Sequence, residues 1–184
     1  MENTIVRLEE MATEHVDGIW EVADYPEIWT YLSVTLNSLS RVKAYVNEVK
    51  ADEKAFVIID QATNKIVGST RFMDIKEGHR TAEIGATWLT PAAWRTSINT
   101  NTKLVLLHYA FEVWGLQRVT IKTDAENIRS RTAIERIGGI FEGILRNHMI
   151  RKDGTSRDTA MYSIIATEWP EIKRKLGEQY EKNV

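Results

Sequence analysis

Apolar positions recur along the chain with two alternating periods, and the switches between them predict the elements. Ile5 to Leu8 is a short first strand. Thr13 is placed to cap a helix that gathers Val16, Ile19, Trp20 and Ala23 on one side. Asp24 to Leu39, with Tyr25, Trp29 and Tyr31, follows neither period. Ser40 is placed to cap a second helix, with Val42, Tyr45, Val46 and Val49 at helical spacing. The pattern then turns to strands. Ala55 to Asp60 and Lys65 to Ile75 flank Asp60-Gln-Ala-Thr-Asn64 as in a hairpin, and a third strand covers Arg80 to Leu89 after Glu77-Gly78. Beyond Thr90-Pro91 a loop leads into a long helix, whose inner face is Ile98, Val105, Leu107, Phe111 and Trp114. Gly115 suits its end, because glycine enters the left-handed conformation cheaply. A strand over Arg118 to Thr123 follows, then a short helix opening near Asn127 and closed by Gly138-Gly139. Phe141 to Arg151 and Ser156 to Ile165 bracket an Asp153-Gly154 turn, and Thr167 is placed to cap a charged last helix. The order β-α-α-β-β-β-α-β-α-β-β-α predicts an α+β or mixed α/β sheet with helices on both faces.

Composition narrows the function classes. The 184 residues show no repeat, low-complexity tract or linker, so residues 1–184 read as one domain. With 43% hydrophobic and 27% charged residues, the chain can bury a full core, which excludes a disordered or collagen-like protein. Its 24 basic and 26 acidic side chains argue against nucleic acid or an acidic membrane as partner. There are no cysteines, hence no disulfide, thiolate metal site or cysteine nucleophile. Met1 leads into mixed polar sequence without a signal-peptide pattern, and no apolar run nears the ~18 residues of a membrane span. A cytoplasmic location is expected.

Two stretches could carry chemistry. Where the loop Trp94-Arg95-Thr96-Ser97-Ile98-Asn99 opens a helix, free backbone N–H groups and the helix dipole make an anion site, and Arg95 adds a full charge. An ordinary capped helix start fits the same local pattern. The second is Thr123-Asp-Ala-Glu-Asn127-Ile-Arg-Ser130, where a strand passes into a short helix. Asn127 could bridge backbone groups or a ligand, and Ser130 could offer a hydroxyl to a leaving group; capping is the alternative role for both. His15, His79, His108 and His148 lack metal-ligand spacing, so no metal is expected. Trp20, Trp29, Trp114 and Trp169 fit core or docking positions, and Lys173-Arg174-Lys175 fits a solvated face.

From about Ile5 to Glu168 the chain resembles the GNAT superfamily of N-acetyltransferases, and within it the branch of ribosomal-protein N-terminal acetyltransferases (RimJ/RimL type). Ala82-Glu83-Ile84-Gly85 through Trp94 to Asn99 stands in the place of the superfamily's acetyl-CoA-binding strand, pyrophosphate loop and helix. Asn127-Ile-Arg-Ser130, Ala133 to Gly138 and Glu142-Gly143 look like the branch's Asn-x-x-Ser helix and the turn after it. Leu145-Arg146, Asp153-Gly154, Arg157-Asp158, Tyr162-Ser163 and Glu168-Trp169 match the closing hairpin. The resemblance departs at the loop, where the usual glycine and small last residue are Ser97 and Asn99. The short helix has Ile134 where many members place a tyrosine acid, and the hairpin has Met149 where the branch's proposed carboxylate base would stand.

The resemblance implies a GNAT fold: a mostly antiparallel sheet of six to seven strands, splayed at the acyl-CoA site. It implies transfer of the acetyl group of acetyl-CoA to a primary amine, either a protein N-terminus or a small molecule, by direct attack in a ternary complex. Acetyl-CoA is then expected to meet Trp88, Leu89, Trp94, Arg95, Thr96, Ser97, Ile98, Asn99, Asn127 and Ser130. Ser130 would donate to the departing thiolate. Glu83, eleven residues before Trp94, matches the spacing of the base in histone-acetylating relatives; in an apolar strand its burial would raise its pKa toward neutrality. A structural role on the strand's polar face is the alternative. His148 is a second base candidate and a substrate contact, and Trp29 and Tyr31 would shape the acceptor site. The missing loop glycine keeps a different class open, a non-catalytic acyl-CoA-binding or regulatory module. A homodimer is left open as well.

Overall fold

A computed structural model describes residues 1–181 of the chain, with side chains described through residue 177. The elements are β1 (Val6–Glu10), α1 (Val16–Ala23), α2 (Leu39–Asn47), β2 (Lys54–Asp60), β3 (Lys65–Lys76), β4 (Thr81–Leu89), α3 (Ile98–His108), β5 (Arg118–Asp124), α4 (Ile128–Arg136), β6 (Ile140–Ile150), β7 (Ser156–Ile165) and α5 (Trp169–Glu181). Their order is the one the periodicity predicts. The strands form one seven-stranded sheet in the order β1-β2-β3-β4-β5-β7-β6. The chain divides into two compact units, one of Met1–Asp74 with Ile84–Thr102, the other of Ile75–Glu83 with the chain from Lys103 on.

In the first unit β1, β2 and β3 pair antiparallel, with Val6 opposite Asp60 and Val57 opposite Ser69. Central β2 is buried from Ala55 to Ile59, as its unbroken apolar run requires. Ile19, Ala23, Trp29, Leu36, Val42, Val46, Val57 and Trp88 share its core. The β2–β3 turn is closed by Asp60, whose carboxylate accepts from the Ala62 N–H and the Thr63 hydroxyl, both at 3.0 Å, and Asn64 takes φ 54°. Two caps differ from expectation. Ser38 rather than Ser40 caps α2, its hydroxyl accepting from the Arg41 N–H at 3.4 Å. Thr13 does not cap α1 but opens a short 3-10 turn before it. Where serines alternate or a 3-10 turn intervenes, the residue type alone does not fix the frame.

In the second unit β4 and β5 pair parallel from Thr81–Arg118 to Glu83–Thr120. Beyond β5, β7 pairs antiparallel with it from Arg118–Ile165 to Asp124–Thr159, and β6 pairs antiparallel with β7. The β6–β7 ladder breaks step between Leu145 and Met149, so that Arg146, Asn147 and His148 together face Asp158. Asn147 takes φ 51° there and donates its N–H to Asp158 at 2.7 Å. Helix α3 widens into a π turn over Tyr109–Val113 and stops at Gly115, φ 70°. That turn displaces the predicted inner face: Leu106, Leu107 and Ala110 are fully buried, whereas Phe111 and Trp114 are half-buried. Glu168 rather than Thr167 precedes α5, its carboxylate accepting from the Ile165 N–H at 3.0 Å. Among the described residues no helix is long and apolar enough to cross a membrane.

Candidate functional site

The first unit holds the loop that the sequence singles out. Within β4, Ala86 takes φ 47°, a left-handed kink in mid-strand that a β-carbon resists. Past it, Trp88 is 3% exposed and tilts against Trp29 with ring centroids 5.2 Å apart. The β3–β4 contact is tight here, since a β-carbon on Gly68 would lie 2.1 Å from the Trp88 carbonyl oxygen. Leu89 is buried, and its carbonyl accepts the Trp94 indole N–H at 2.9 Å, which ties the loop to the strand end. Arg95 takes φ 62°, so the chain makes a glycine-like turn with an arginine. Arg95, Thr96 and Ser97 are exposed, Asn99 is half-buried and Ile98 is buried. The Thr96 hydroxyl donates to the Ala93 carbonyl at 2.8 Å and accepts the Ile98 N–H at 3.3 Å. The first bond of α3 runs from the Asn101 N–H to the Ser97 carbonyl at 3.0 Å. Among the described residues the N–H groups of Arg95, Thr96, Ser97, Asn99 and Thr100 therefore have no acceptor. Orphan donors at a helix start, beside an arginine, fit a diphosphate. The missing glycine at 97 is offset in part by the left-handed Arg95, which supplies a turn two residues earlier.

Trp29, expected near an acceptor, is a core side chain at 3% exposure whose indole donates to the Ala23 carbonyl at 3.0 Å; Tyr31 is 41% exposed. A polar hub missed in the sequence lies in the same unit. The Tyr45 hydroxyl bonds the Ser69 hydroxyl at 2.7 Å and accepts from the Trp88 indole at 3.4 Å. Arg71 donates to Glu53 at 2.6 Å and to the Tyr45 carbonyl at 3.1 Å, its guanidinium 4.4 Å from the Tyr45 ring centroid. Burial works against that cation, but Tyr45 and Glu53 outweigh it and hold its pKa above the ordinary value. Nothing in the sequence marks Arg71, which is one polar residue among several in β3.

The second unit gathers Glu83, Asn127, Ser130 and His148. Glu83 is 5% exposed, and its Oε2 lies 2.8 Å from the Lys122 ammonium. The expected apolar setting is thus an ion pair. Asn127 caps α4, its side-chain oxygen accepting the Ser130 N–H at 3.0 Å. The half-buried Ser130 hydroxyl makes no hydrogen bond among the described residues. His148 bonds the Thr159 hydroxyl through Nδ1 at 3.1 Å. Asp124, 2% exposed, closes β5 and was missed: its carboxylate accepts from Arg151 at 2.8 and 3.0 Å and from the Glu126 N–H at 3.0 Å. Burial pushes its pKa up, but Arg151 and the Glu126 N–H hold it below the ordinary value. Lys103, buried in α3, is pushed down to about 7 by desolvation. Among the described residues no group of three or more His, Cys, Asp or Glu side chains could hold a metal ion.

A helix start with unpaired donors beside Arg95 offers the chemistry that a phosphate-bearing ligand needs. The family profile described as an acetyltransferase (GNAT) domain matches residues 6–140, and the chain belongs to the GNAT acetyltransferase family. A GCN5-related N-acetyltransferase of Brucella melitensis superposes with a TM-score of 0.91 at 30% identity, covering 96% of this chain and 83% of that one. YoaA of Bacillus subtilis, an uncharacterized N-acetyltransferase, is 31% identical over 103 residues, 56% of this chain and 57% of YoaA. YdaF of Bacillus subtilis, for which ribosomal N-acetylation is a proposed activity, is 33% identical over 104 residues, 56% of each chain. The matches thus span little more than half the length of these two relatives.

Proposed function

We propose that residues 1–184 form a single N-acetyltransferase domain that moves the acetyl group of acetyl-CoA to a primary amine by direct attack. The observation that carries this reading is the set of N–H groups at Arg95, Thr96, Ser97, Asn99 and Thr100 with no acceptor among the described residues, in a chain of the GNAT family. Those donors and the Arg95 guanidinium hold the diphosphate, and the β4 main chain near Trp88 and Leu89 meets the pantetheine as an added strand would. The neutral amine attacks the thioester carbonyl, the C–N bond forms, the C–S bond then breaks, and the proton that the new amide nitrogen loses ends on the departing thiolate sulfur, so that CoA leaves as the thiol. Ser130, whose hydroxyl is uncommitted, donates to that thiolate. Glu83 takes a proton from the incoming ammonium, with Lys122 alongside. The amine is a protein N-terminus or a small molecule; YdaF favours the former.

A second reading is a CoA-binding module without turnover. Side chains at Ser97 and Asn99, where the family has small residues, and the Glu83–Lys122 ion pair favour it. Thiol release from acetyl-CoA, measured over a panel of amines and peptides, separates the two. Turnover supports the transferase; heat on titrating CoA without turnover supports the module; neither removes both. For the transferase, Ser130→Ala lowers kcat with the CoA affinity unchanged, and an unchanged kcat removes Ser130 from the mechanism.

A further inference from the structure

Arg157, on β7, is a cation that the fold half-buries without completing. Its side chain is 13% exposed, and its Nε is shut off from solvent. Among the described residues the guanidinium makes no hydrogen bond. The nearest carboxylate oxygen is Asp124 Oδ2 at 3.9 Å, beyond hydrogen-bond reach. Asp124 has little left to give, since Arg151 and the Glu126 N–H already occupy both of its oxygens. Nε is therefore desolvated and unspent, which is costly unless something else meets it, while the two Nη groups of the same planar fork keep contact with solvent and are free to receive a ligand.

The surroundings say what that is. Arg157 stands directly opposite Met149 in the β6–β7 ladder, and Glu83 acts on it electrostatically. It thus stands opposite the position at which the resemblance implies a base and within electrostatic range of Glu83, the base of the reading above. Burial lowers its pKa, Asp124 opposes that, and arginine stays cationic at neutral pH regardless. A guanidinium fork matches a carboxylate or a phosphate. The nearby Asp124 and Glu83 charges repel a dianion more strongly than a single carboxylate.

We infer that Arg157 recognises a carboxylate on the acceptor, so that the preferred substrate is a primary amine that also carries a carboxylate. This rests on the acetyltransferase reading above and narrows its substrate class. The carboxylate can belong to a free amino acid or to the acidic first side chain of a peptide. Arg157 then determines specificity, while Glu83 and Ser130 serve the chemistry.

The test compares kcat/KM for matched acceptors: amino acids against their amides, peptides opening with Asp or Glu against those opening with Asn or Gln, and phosphoethanolamine. The carboxylate form is expected to win by about tenfold or more in one of the first two pairs, which also identifies the source. Arg157→Gln brings that ratio to about one. Arg157→Lys keeps the charge without the fork and retains part of it, a control for folding. A wild-type ratio near one, a ratio that survives Arg157→Gln, or a preference for phosphoethanolamine overturns the inference while leaving the transferase in place. Should no acceptor turn over, calorimetry with the same acceptors on the CoA-saturated protein decides. Carboxylate-dependent heat lost in Arg157→Gln upholds the site and removes the transferase; no such heat removes both.

Discussion

Arg71 and Arg157 are two strand arginines with similar burial and opposite circumstances. Arg71 side-chain exposure is 8% and that of Arg157 is 13%. In the first unit Glu53, the Tyr45 carbonyl and the Tyr45 ring all meet Arg71, which leaves only its Nε unmatched. In the second unit Arg157 meets no hydrogen-bond acceptor among the described residues. A buried ion pair with good geometry and hydrogen bonds can recover its desolvation cost, and a cation whose nearest carboxylate stands 3.9 Å away recovers less of it. The first arginine is therefore committed to holding α2 against β3. The second carries a cost that the fold itself leaves partly unrecovered.

That contrast can be broken or sharpened by substitution. Glu53→Ala strands the Arg71 cation and is expected to lower stability by about 3–5 kcal/mol in urea denaturation. A loss below about 1 kcal/mol would erase the distinction between the two arginines. Asp124→Asn is expected to cost about 1–3 kcal/mol at neutral pH, because Arg151 loses its charged acceptor. The Asp124 pKa lies below the ordinary 3.8 in the folded state, so its contribution is complete above that value and fades as pH falls through the folded pKa. Stability measured against pH should lose that acid-side slope in the variant, and an unchanged slope would assign it to another carboxylate. Tyr45→Phe leaves the Ser69 hydroxyl and the Trp88 indole without their shared partner, at about 1 kcal/mol, with an altered tryptophan emission. Arg157→Met is expected to shift stability by less than about 1 kcal/mol in either direction, since it removes only a long ion pair to an Asp124 already held by Arg151. A loss of more than about 2 kcal/mol would show Arg157 holding the fold as Arg71 does.

Local chemistry made much of this legible in the sequence. The β2–β3 hairpin, the Gly115 stop and the Asn127 cap each depend on a few adjacent residues, and all stand where the pattern puts them. Ser38 displaced Ser40 as a cap because both serines satisfy the same short-range rule. The loop from Trp94 to Asn99 was legible as a helix start, but the left-handed turn at Arg95 was not, since arginine gives no sign of it. Glu83 was picked out as a carboxylate whose role turns on burial, and it is buried, while its partner Lys122 sits on another strand and was invisible to spacing. The Asp124–Arg151 pair and the Arg157 fork were hidden for the same reason: their chemistry arises from strand register, which one sequence does not state.

The offset at Arg146 to His148 has a consequence for how copies of this protein tolerate crowding. Strand β6 ends the sheet, and Ile140, Phe141, Ile144 and Leu145 on it are each at least 40% exposed. A rim of that kind invites stray chains to zip on and polymerise. The ladder of this strand is out of step at Glu142 and again at Arg146 to His148, and each break interrupts such growth. The sheet thus carries its own brake on fibre formation, a few residues past its greasiest margin.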